Sequence, residues 1–198
     1  MFSTRDRILS ATNELFRRQG FNGTSLKQVT ENAPATVGSI YHFFPGGKES
    51  LAAAVIETSG AAYRELFEMI ADAEPNFGEA ITAFFDGAAV VLETTDFIDI
   101  CPIGTVAREV ASTNNTLRAA AELVFASWVE AAEVRLVEAS IATTEAHELA
   151  VSLVASIEGG FLLARSARDG NQLRSIGRQM RRLVDSTPRV TRESRATG

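Results

Sequence analysis

The side chains best suited to chemistry lie close together in the stretch "SIYHFFPGGKES", from Ser39 to Ser50. Tyr41, His42 and Lys48 stand there beside a proline and two glycines. Such groups donate hydrogen bonds or carry positive charge, so they suit phosphates and base edges. Three interpretations are open: packing in a helical core, a loop around the phosphate of a small molecule, or a surface that meets nucleic acid.

The rest of the chain offers little for catalysis or metal binding. It has one cysteine, Cys101, and one further histidine, His147, and no His/Cys/acid cluster has metal-ligand spacing. The run "PGGKES" lacks P-loop spacing and follows no strand, which disfavours a nucleotide cradle. We therefore expect no enzyme, no catalytic or metal site and no cofactor.

Composition indicates a globular protein of the cytoplasm. The 198 residues are 45% hydrophobic and 22% charged, which suffices for a full core. No run of about 18 apolar residues suggests a membrane span. The first residues lack the apolar stretch of a signal peptide, and a single cysteine fits a reducing compartment.

The charge is unevenly distributed along the chain. Residues 1–50 hold six Lys or Arg and four acids, whereas residues 51–169 hold six Arg and nineteen acids. Residues 170–198 hold seven Arg and two acids. The body, residues 51–169, is therefore strongly acidic, and it outweighs the two mildly basic ends to give the net charge of −6. If nucleic acid is bound, the mildly basic head binds it.

The sequence predicts an all-α fold, because strand-like alternation is absent and Ala, Leu, Glu and Arg dominate the long segments. Ser3, Ser25, Thr36 and Asn76 are expected N-caps. A short helix is expected near Pro102, within residues 95–112. The other predicted helices cover about 5–19, 26–32, 37–43, 48–73, 77–94, 116–141, 144–168 and 172–185.

The first three helices have the pattern of a helix-turn-helix, in which the last helix enters the major groove. Leu9, Phe16, Leu26, Val29, Ile40, Phe43 and Phe44 are the expected packing residues. Thr36, Val37, Gly38, Ser39, Tyr41 and His42 form the expected outer face. This pattern alone leaves core packing and DNA contact both open for the aromatic residues.

Residues 5–56 resemble the DNA-binding domain of the TetR family of transcriptional regulators. The match includes the pair Gly20-Phe21, the pair Thr24-Ser25 and the Gly-x-Ile-Tyr-x-x-Phe run that begins at Gly38. The runs "PGGKE" and "CPIGTVAREV" resemble the LmrA/YxaF-like subgroup, which is associated with repressors of drug-efflux or oxidoreductase genes. Pro34 departs from the family pattern, where a glycine is common.

The resemblance implies a dimer that reads a palindromic double-stranded DNA operator. Carried over by position, Thr36, Val37 and Ser39 face the groove, and Val37 suits the methyl group of thymine. The expected phosphate contacts are Ser25, Lys27, Tyr41, His42 and Lys48.

The resemblance also implies a small-molecule effector site in the body, with an apolar or aromatic ligand. Candidate lining residues are Phe85, Leu92, Phe97, Cys101, Trp128 and Phe161. For Cys101, a buried structural thiol is favoured over a redox sensor.

The last two helices are expected to form the homodimer, since Gly159 and Gly160 allow close approach. Packing within one chain is the alternative. The basic residues of the last helix, which are expected to pair with the acidic body across that interface, are Arg174, Arg178, Arg181 and Arg182.

These predictions divide the chain into a helix-turn-helix domain (1–47), a ligand-binding and dimerisation domain (48–187) and a flexible tail (188–198). The predicted function is a ligand-responsive regulator, by family default a repressor, released from its operator by a small molecule. The alternative is a dimeric helical protein that binds a small molecule without acting on DNA.

Overall fold

A computed structural model of the chain describes residues 3–98 and 101–190. Within these ranges every regular element is a helix, which confirms the predicted all-α fold. The helices of the described residues are α1 (Thr4–Gln19), α2 (Leu26–Asn32), α3 (Val37–Phe43), α4 (Lys48–Ala73), α5 (Phe77–Thr94), α6 (Pro102–Val110), α7 (Asn115–Glu138), α8 (Thr143–Ala167) and α9 (Asn171–Ser186).

Capping explains why the first helices begin where the sequence predicts. Ser3 and Asp6 form a reciprocal capping box at the start of α1, and Ser25 does the same with Gln28 at α2. At α3, the Thr36 hydroxyl accepts the backbone N–H of Ser39. Each cap supplies an acceptor for an N–H that has no partner within its helix, typically worth about 1 kcal/mol.

The described residues divide into two compact units, one formed within residues 3–62 and 98–124 and the other within residues 63–97 and 125–190. Helices α4 and α7 contribute residues to both units. The functional boundary after residue 47 remains a prediction. Of the predicted tail, residues 191–198 lie outside the described residues, while the Val190 N–H donates to the Ser140 carbonyl at 2.7 Å.

The core of the first unit holds α2, α3 and α6 against α1. Its buried side chains include Ile8, Phe16, Val29, Ile40, Phe44, Leu51 and Val55. Burying each such side chain contributes about 1.5–3 kcal/mol of transfer free energy. This core gives the short helices α2 and α3 a fixed place that their own seven residues could not provide.

In the second unit, α9 packs on α5 and on α8. Two glycines allow the close approach. A Cβ added to Gly177 would lie 2.6 Å from the Cβ of Phe85, and a Cβ added to Gly160 would lie 2.7 Å from Leu173 Cδ2. Both distances are shorter than ordinary van der Waals contact. A larger residue at Gly177 would force α9 away from α5, because it meets a Cβ, whereas at Gly160 the methyl group of Leu173 would have to shift.

Two arginines of α9 pair with the acidic body, but within one chain rather than across an interface. Arg174 makes two hydrogen bonds to Glu93, of 2.6 and 2.8 Å. Arg181 makes two to Glu79, of 2.7 and 2.9 Å. Because α9 packs on α5, the guanidinium groups of Arg174 and Arg181 bind carboxylates of α5 in the same chain. The expected pairing of these two arginines across the dimer interface was therefore wrong.

Among the described residues, α8 is the helix that is long and apolar enough to cross a bilayer by length and composition, with 25 residues and a mean hydropathy of 1.4. In this structure its buried face includes Leu149, Leu153 and Ile157. It packs on α9 through the close contact at Gly160. One face of this helix is therefore packed within the second unit, while a third of its most apolar window is buried.

Candidate nucleic-acid interface

Helix α3 has a buried side and an exposed side. Ile40 and the following Phe44 are buried, one helical turn apart. On the other side Val37 is 47% exposed and Tyr41 is 52% exposed. Such exposure of apolar groups on a two-turn helix suits a surface that contacts a partner.

Phe43 lies outside the core, contrary to the expectation from sequence. It is 37% exposed, whereas Phe44 is 3% exposed. Ile40 and Phe44 are four residues apart and share the inner face, while Phe43 is rotated by about 100° from Phe44 on a helix. The ring of Phe43 contacts His42 edge-to-face, with centroids 4.8 Å apart.

The polar groups at the start of α3 are already hydrogen-bonded to one another. Thr36 Oγ1 accepts the Ser39 N–H at 3.1 Å, and the two hydroxyls lie 2.9 Å apart. These bonds fix both side chains at the N-terminus of the helix. Together with Thr4, Gly38, His42 and Phe43 they line a shallow surface depression.

The two phosphate contacts predicted at α2, Ser25 and Lys27, differ in how firmly their side chains are held. The Ser25 hydroxyl accepts the Gln28 N–H at 3.2 Å and lies 3.0 Å from the Gln28 side-chain oxygen. Lys27 is exposed, with its ammonium 3.8 Å from a carboxylate oxygen of Glu31. Ser25 is thus held by the cap, while Lys27 is free to turn towards an anion at little cost.

The glycine pair before Lys48 serves the turn between α3 and α4. Gly47 has a φ of +64° and its N–H donates to the Phe44 carbonyl at 2.8 Å. A Cβ on Gly47 would lie 3.1 Å from the ring of Tyr41. The second glycine is therefore required by a left-handed backbone and by the neighbouring tyrosine.

Lys48, the first residue of α4, is held more closely than a surface lysine. Its ammonium lies 4.2 Å from the centroid of the Phe21 ring, a cation–π contact. Partial burial lowers the pKa of Lys48, and the nearby Glu109 carboxylate acts in the opposite direction. Sequence reasoning recognised Phe21 only as part of a family marker and missed both of these neighbours.

The six candidate effector residues fall in separate places. Phe85 and Leu92 are buried on α5, and the Phe85 side chain packs against α9. Trp128 contacts Tyr63 and Phe125 edge-to-face. Each of these aromatic contacts lies within the second unit.

The remaining three candidates differ in burial and position. The guanidinium of Arg168 lies 5.5 Å from the ring centroid of Phe97, which is half-buried, as is Phe161. Cys101 belongs to the first unit, where it is buried and its sulfur accepts the Gly104 N–H at the start of α6. Within the described residues, no group of three or more His, Cys, Asp or Glu side chains could hold a metal ion.

Helix α1 with the short pair α2 and α3 is the arrangement of a helix-turn-helix DNA-binding protein. A family model described as bacterial regulatory proteins, tetR family, matches residues 8–55. A second, described as transcriptional regulator LmrA/YxaF-like, C-terminal domain, matches residues 78–179. The chain belongs to the TetR family of transcriptional regulators, in its LmrA/YxaF-like branch.

Individual relatives agree with this assignment. The chain is 34% identical over 181 residues to the HTH-type transcriptional regulator YxaF of Bacillus subtilis, covering 91% of this chain and 95% of that protein. A TetR transcriptional regulator from Legionella pneumophila has a similar structure, with a TM-score of 0.80, 25% identity and coverage of 93% and 97%. The regulator CifR, solved with a 26-base-pair operator, shares the fold at a TM-score of 0.76 and 19% identity, with coverage of 90% and 95%.

Proposed function

We propose that this protein is a ligand-responsive repressor that binds a palindromic operator as a homodimer and leaves DNA when a small molecule binds its C-terminal domain. The observation that carries the proposal is the exposed face of α3, where Val37 and Tyr41 project from a helix anchored by Ile40. Family membership supports this reading, and CifR offers an example of a protein of this fold bound to operator DNA.

Val37 is the proposed base reader. A valine has no hydrogen-bonding group, so its contact in the major groove is with the methyl group of thymine. Gly38, next to it, is exposed and has no Cβ, which leaves room for a base edge. Thr36 and Ser39 flank this pair and are the other residues proposed to face the groove. The proposed phosphate contacts are Ser25, Lys27, Tyr41, His42 and Lys48.

A selection from random duplexes of about 30 base pairs, roughly three helical turns, tests DNA binding directly. We expect enrichment of a palindrome whose half-sites are about 34 Å apart or a multiple of this. If no sequence is enriched at low salt, the protein is not an operator-binding repressor, and the alternative of a small-molecule-binding protein without DNA activity is favoured.

Replacing a contacted thymine by uracil in the enriched duplex tests Val37. Loss of one buried methyl group costs about 0.8 kcal/mol, or roughly a fourfold increase in Kd. In Val37→Ala the same base change should have almost no effect, because the contacting methyl groups are gone. If every thymine-to-uracil change leaves the Kd of the wild type unaltered, Val37 is not the reader.

The dimer is proposed to form through α8 and α9. Val151, Leu162 and Leu163 of α8 and Leu183 of α9 are exposed in the single chain. A Cβ on Gly159 would meet nothing within 4 Å, so the α8 surface is open there. Exposed apolar side chains beside an unfilled glycine suit close packing against a second copy.

A charge placed on this surface tests the dimer. Leu162 is 52% exposed, so Leu162→Glu leaves the single chain intact while burying a carboxylate in the proposed interface. Leu123→Glu is the matched control, since Leu123 is 73% exposed on α7. In analytical ultracentrifugation, Leu162→Glu should sediment as a monomer, whereas the wild type and Leu123→Glu should sediment as dimers. An unchanged dimer in that variant would contradict the proposed interface.

Release by the effector would follow from a population shift. Helix α4 begins at Lys48, directly after the helix-turn-helix, and continues into the second compact unit. A ligand that prefers a tilted α4 would change the separation of the two α3 helices in the dimer. The spacing of successive major grooves would then no longer be matched.

A further inference from the structure

Lys48 stands on an aromatic platform that the core holds in place. The Phe21 ring beneath its ammonium contacts Phe16 edge-to-face, with centroids 6.0 Å apart. Phe16 is fully buried in α1, so it provides a rigid support. The Phe21 ring is thus fixed on one side by the core and offers its face to the lysine.

Glu109, on α6, fixes the backbone of the same turn. One of its carboxylate oxygens accepts the backbone N–H of Asn22 at 2.7 Å. Gly20 leaves the space for this contact, because a Cβ there would lie 1.7 Å from the other carboxylate oxygen. The carboxylate therefore holds the turn that carries Phe21, and α6 packs on α1 beside it.

We propose that Phe21 and Glu109 are positioning residues that order Lys48 for contact with a DNA phosphate. Glu109 fixes the turn, the turn fixes the ring, and the ring holds the ammonium near the start of α4. The inference rests on the proposed DNA-binding function and assigns α6 a part in it.

Pre-ordering of this kind has a measurable consequence. A lysine has a long flexible stem, and fixing such a side chain on binding weakens affinity by an amount equivalent to roughly two- to tenfold in Kd. In this protein part of that ordering is present before DNA arrives. Loss of the Phe21 ring should therefore raise the Kd for DNA by a factor in this range.

The negative charge of Glu109 should also weaken DNA binding, since it lies near the surface that is proposed to contact phosphates. The two roles separate cleanly by substitution. Glu109→Gln keeps an oxygen that can accept the Asn22 N–H and removes the charge, whereas Glu109→Ala removes both. Positioning predicts wild-type or slightly tighter binding for the first variant and weaker binding for the second.

The experiment measures fluorescence anisotropy of the full-length protein with the selected duplex, between about 50 and 200 mM salt. Phe21→Leu removes the ring and should raise the Kd about two- to tenfold. Phe21→Tyr retains a ring and should restore binding. In a Lys48→Ala background, Phe21→Leu should cause no further loss, because the group that it positions is absent.

Two controls separate positioning from general damage. Glu122→Ala removes an exposed carboxylate of the same unit that pairs with its neighbour Arg118 on α7, and it should bind like the wild type. In NMR spectra of the free protein, the side-chain protons nearest the Lys48 ammonium should shift upfield from the ring current of Phe21. This shift should disappear in Phe21→Leu and shrink in Glu109→Ala.

The outcomes distinguish this inference from the proposed function. If the wild type enriches no duplex, both fail. If the wild type binds but Phe21→Leu and Glu109→Ala bind equally well, the positioning role is refuted and the repressor proposal stands. Tighter binding by Glu109→Ala would also refute it, since it would make Glu109 only an electrostatic competitor of the phosphate.

Discussion

Gly177 offers the sharpest test of how the second unit is packed. Substitution by alanine adds one methyl group whose carbon would lie 2.6 Å from Phe85 Cβ and 2.9 Å from its Cγ. Phe85 is 1% exposed on α5, so its side chain has no open space into which it can move. Normal contact therefore requires α9 to shift by roughly 1 Å against α5.

Two opposing effects determine how much Gly177→Ala changes the free energy of unfolding. Alanine in a helix interior is favoured over glycine by about 1 kcal/mol. Overpacking of a close-packed core typically costs about 1–3 kcal/mol and sometimes more. Because the contact is to buried carbon atoms rather than to the end of a flexible side chain, we expect overpacking to win. Gly177→Ala should lower the free energy of unfolding by about 1–2 kcal/mol.

Gly87→Ala is the matched control on the partner helix. Gly87 lies within α5, and an added Cβ would meet nothing within 4 Å. This substitution should therefore raise the free energy of unfolding by about 0.5–1 kcal/mol. Urea unfolding followed by circular dichroism, at several protein concentrations to allow for a dimer, measures both changes. Equal stabilisation by the two variants would refute the close α5–α9 contact.

The remaining predictions concern stability, pH and salt. Gly20 has a φ of +74° and a ψ of −177°, a region that only glycine readily adopts, so Gly20→Ala should lose about 1–3 kcal/mol in the same urea assay. No loss would contradict the observed backbone. Hydrogen bonding to Arg174 lowers the pKa of Glu93 below its ordinary value of 4.5. The stabilisation is therefore complete above about pH 4.5 and is lost as the pH falls through the lower folded-state pKa. Glu93→Gln should flatten the acid side of the stability curve, and a curve of unchanged slope would argue against the ion pair. Lys48→Ala should weaken binding to all duplexes and reduce the salt slope by about one; an unchanged slope would remove Lys48 from the phosphate contacts.

Helix boundaries were largely predictable because they depend on neighbouring residues. The starts of α2 and α3 match the prediction, since Ser25 and Thr36 are capping residues whose partners lie three positions later. The bounds of α4, predicted as residues 48–73, were also correct, and the glycine pair before Lys48 marks its start. The family followed from motifs with many matching positions.

Predictions from side-chain type alone were weaker at the candidate site. Phe43 was placed in the core together with Phe44, yet the buried side of α3 is formed by Ile40 and Phe44, and Phe43 is 37% exposed. Lys48 was expected as a phosphate contact, with no neighbour predicted to hold its side chain. The Phe21 ring that holds it is far away in sequence, and no local pattern pairs the two.

The sequence by itself determined the class of protein: nine predicted helices, their caps, the helix-turn-helix and a head less acidic than the body. These properties reside in residue types and short spacings, which act over one or two helical turns. They also indicated that Ile40 and Phe44 share the buried side of α3, although they placed Phe43 there as well, and it is 37% exposed.

Only the tertiary structure decided which distant groups meet. It brought Glu109 to the Asn22 N–H across 87 positions of sequence and Arg181 to Glu79 across 102. It also explained why glycine is needed at particular positions, since a Cβ on Gly47 would meet Tyr41 and a Cβ on Gly177 would meet Phe85. Such contacts depend on how helices pack, and helix packing is set jointly by many weak interactions that no single stretch of sequence specifies.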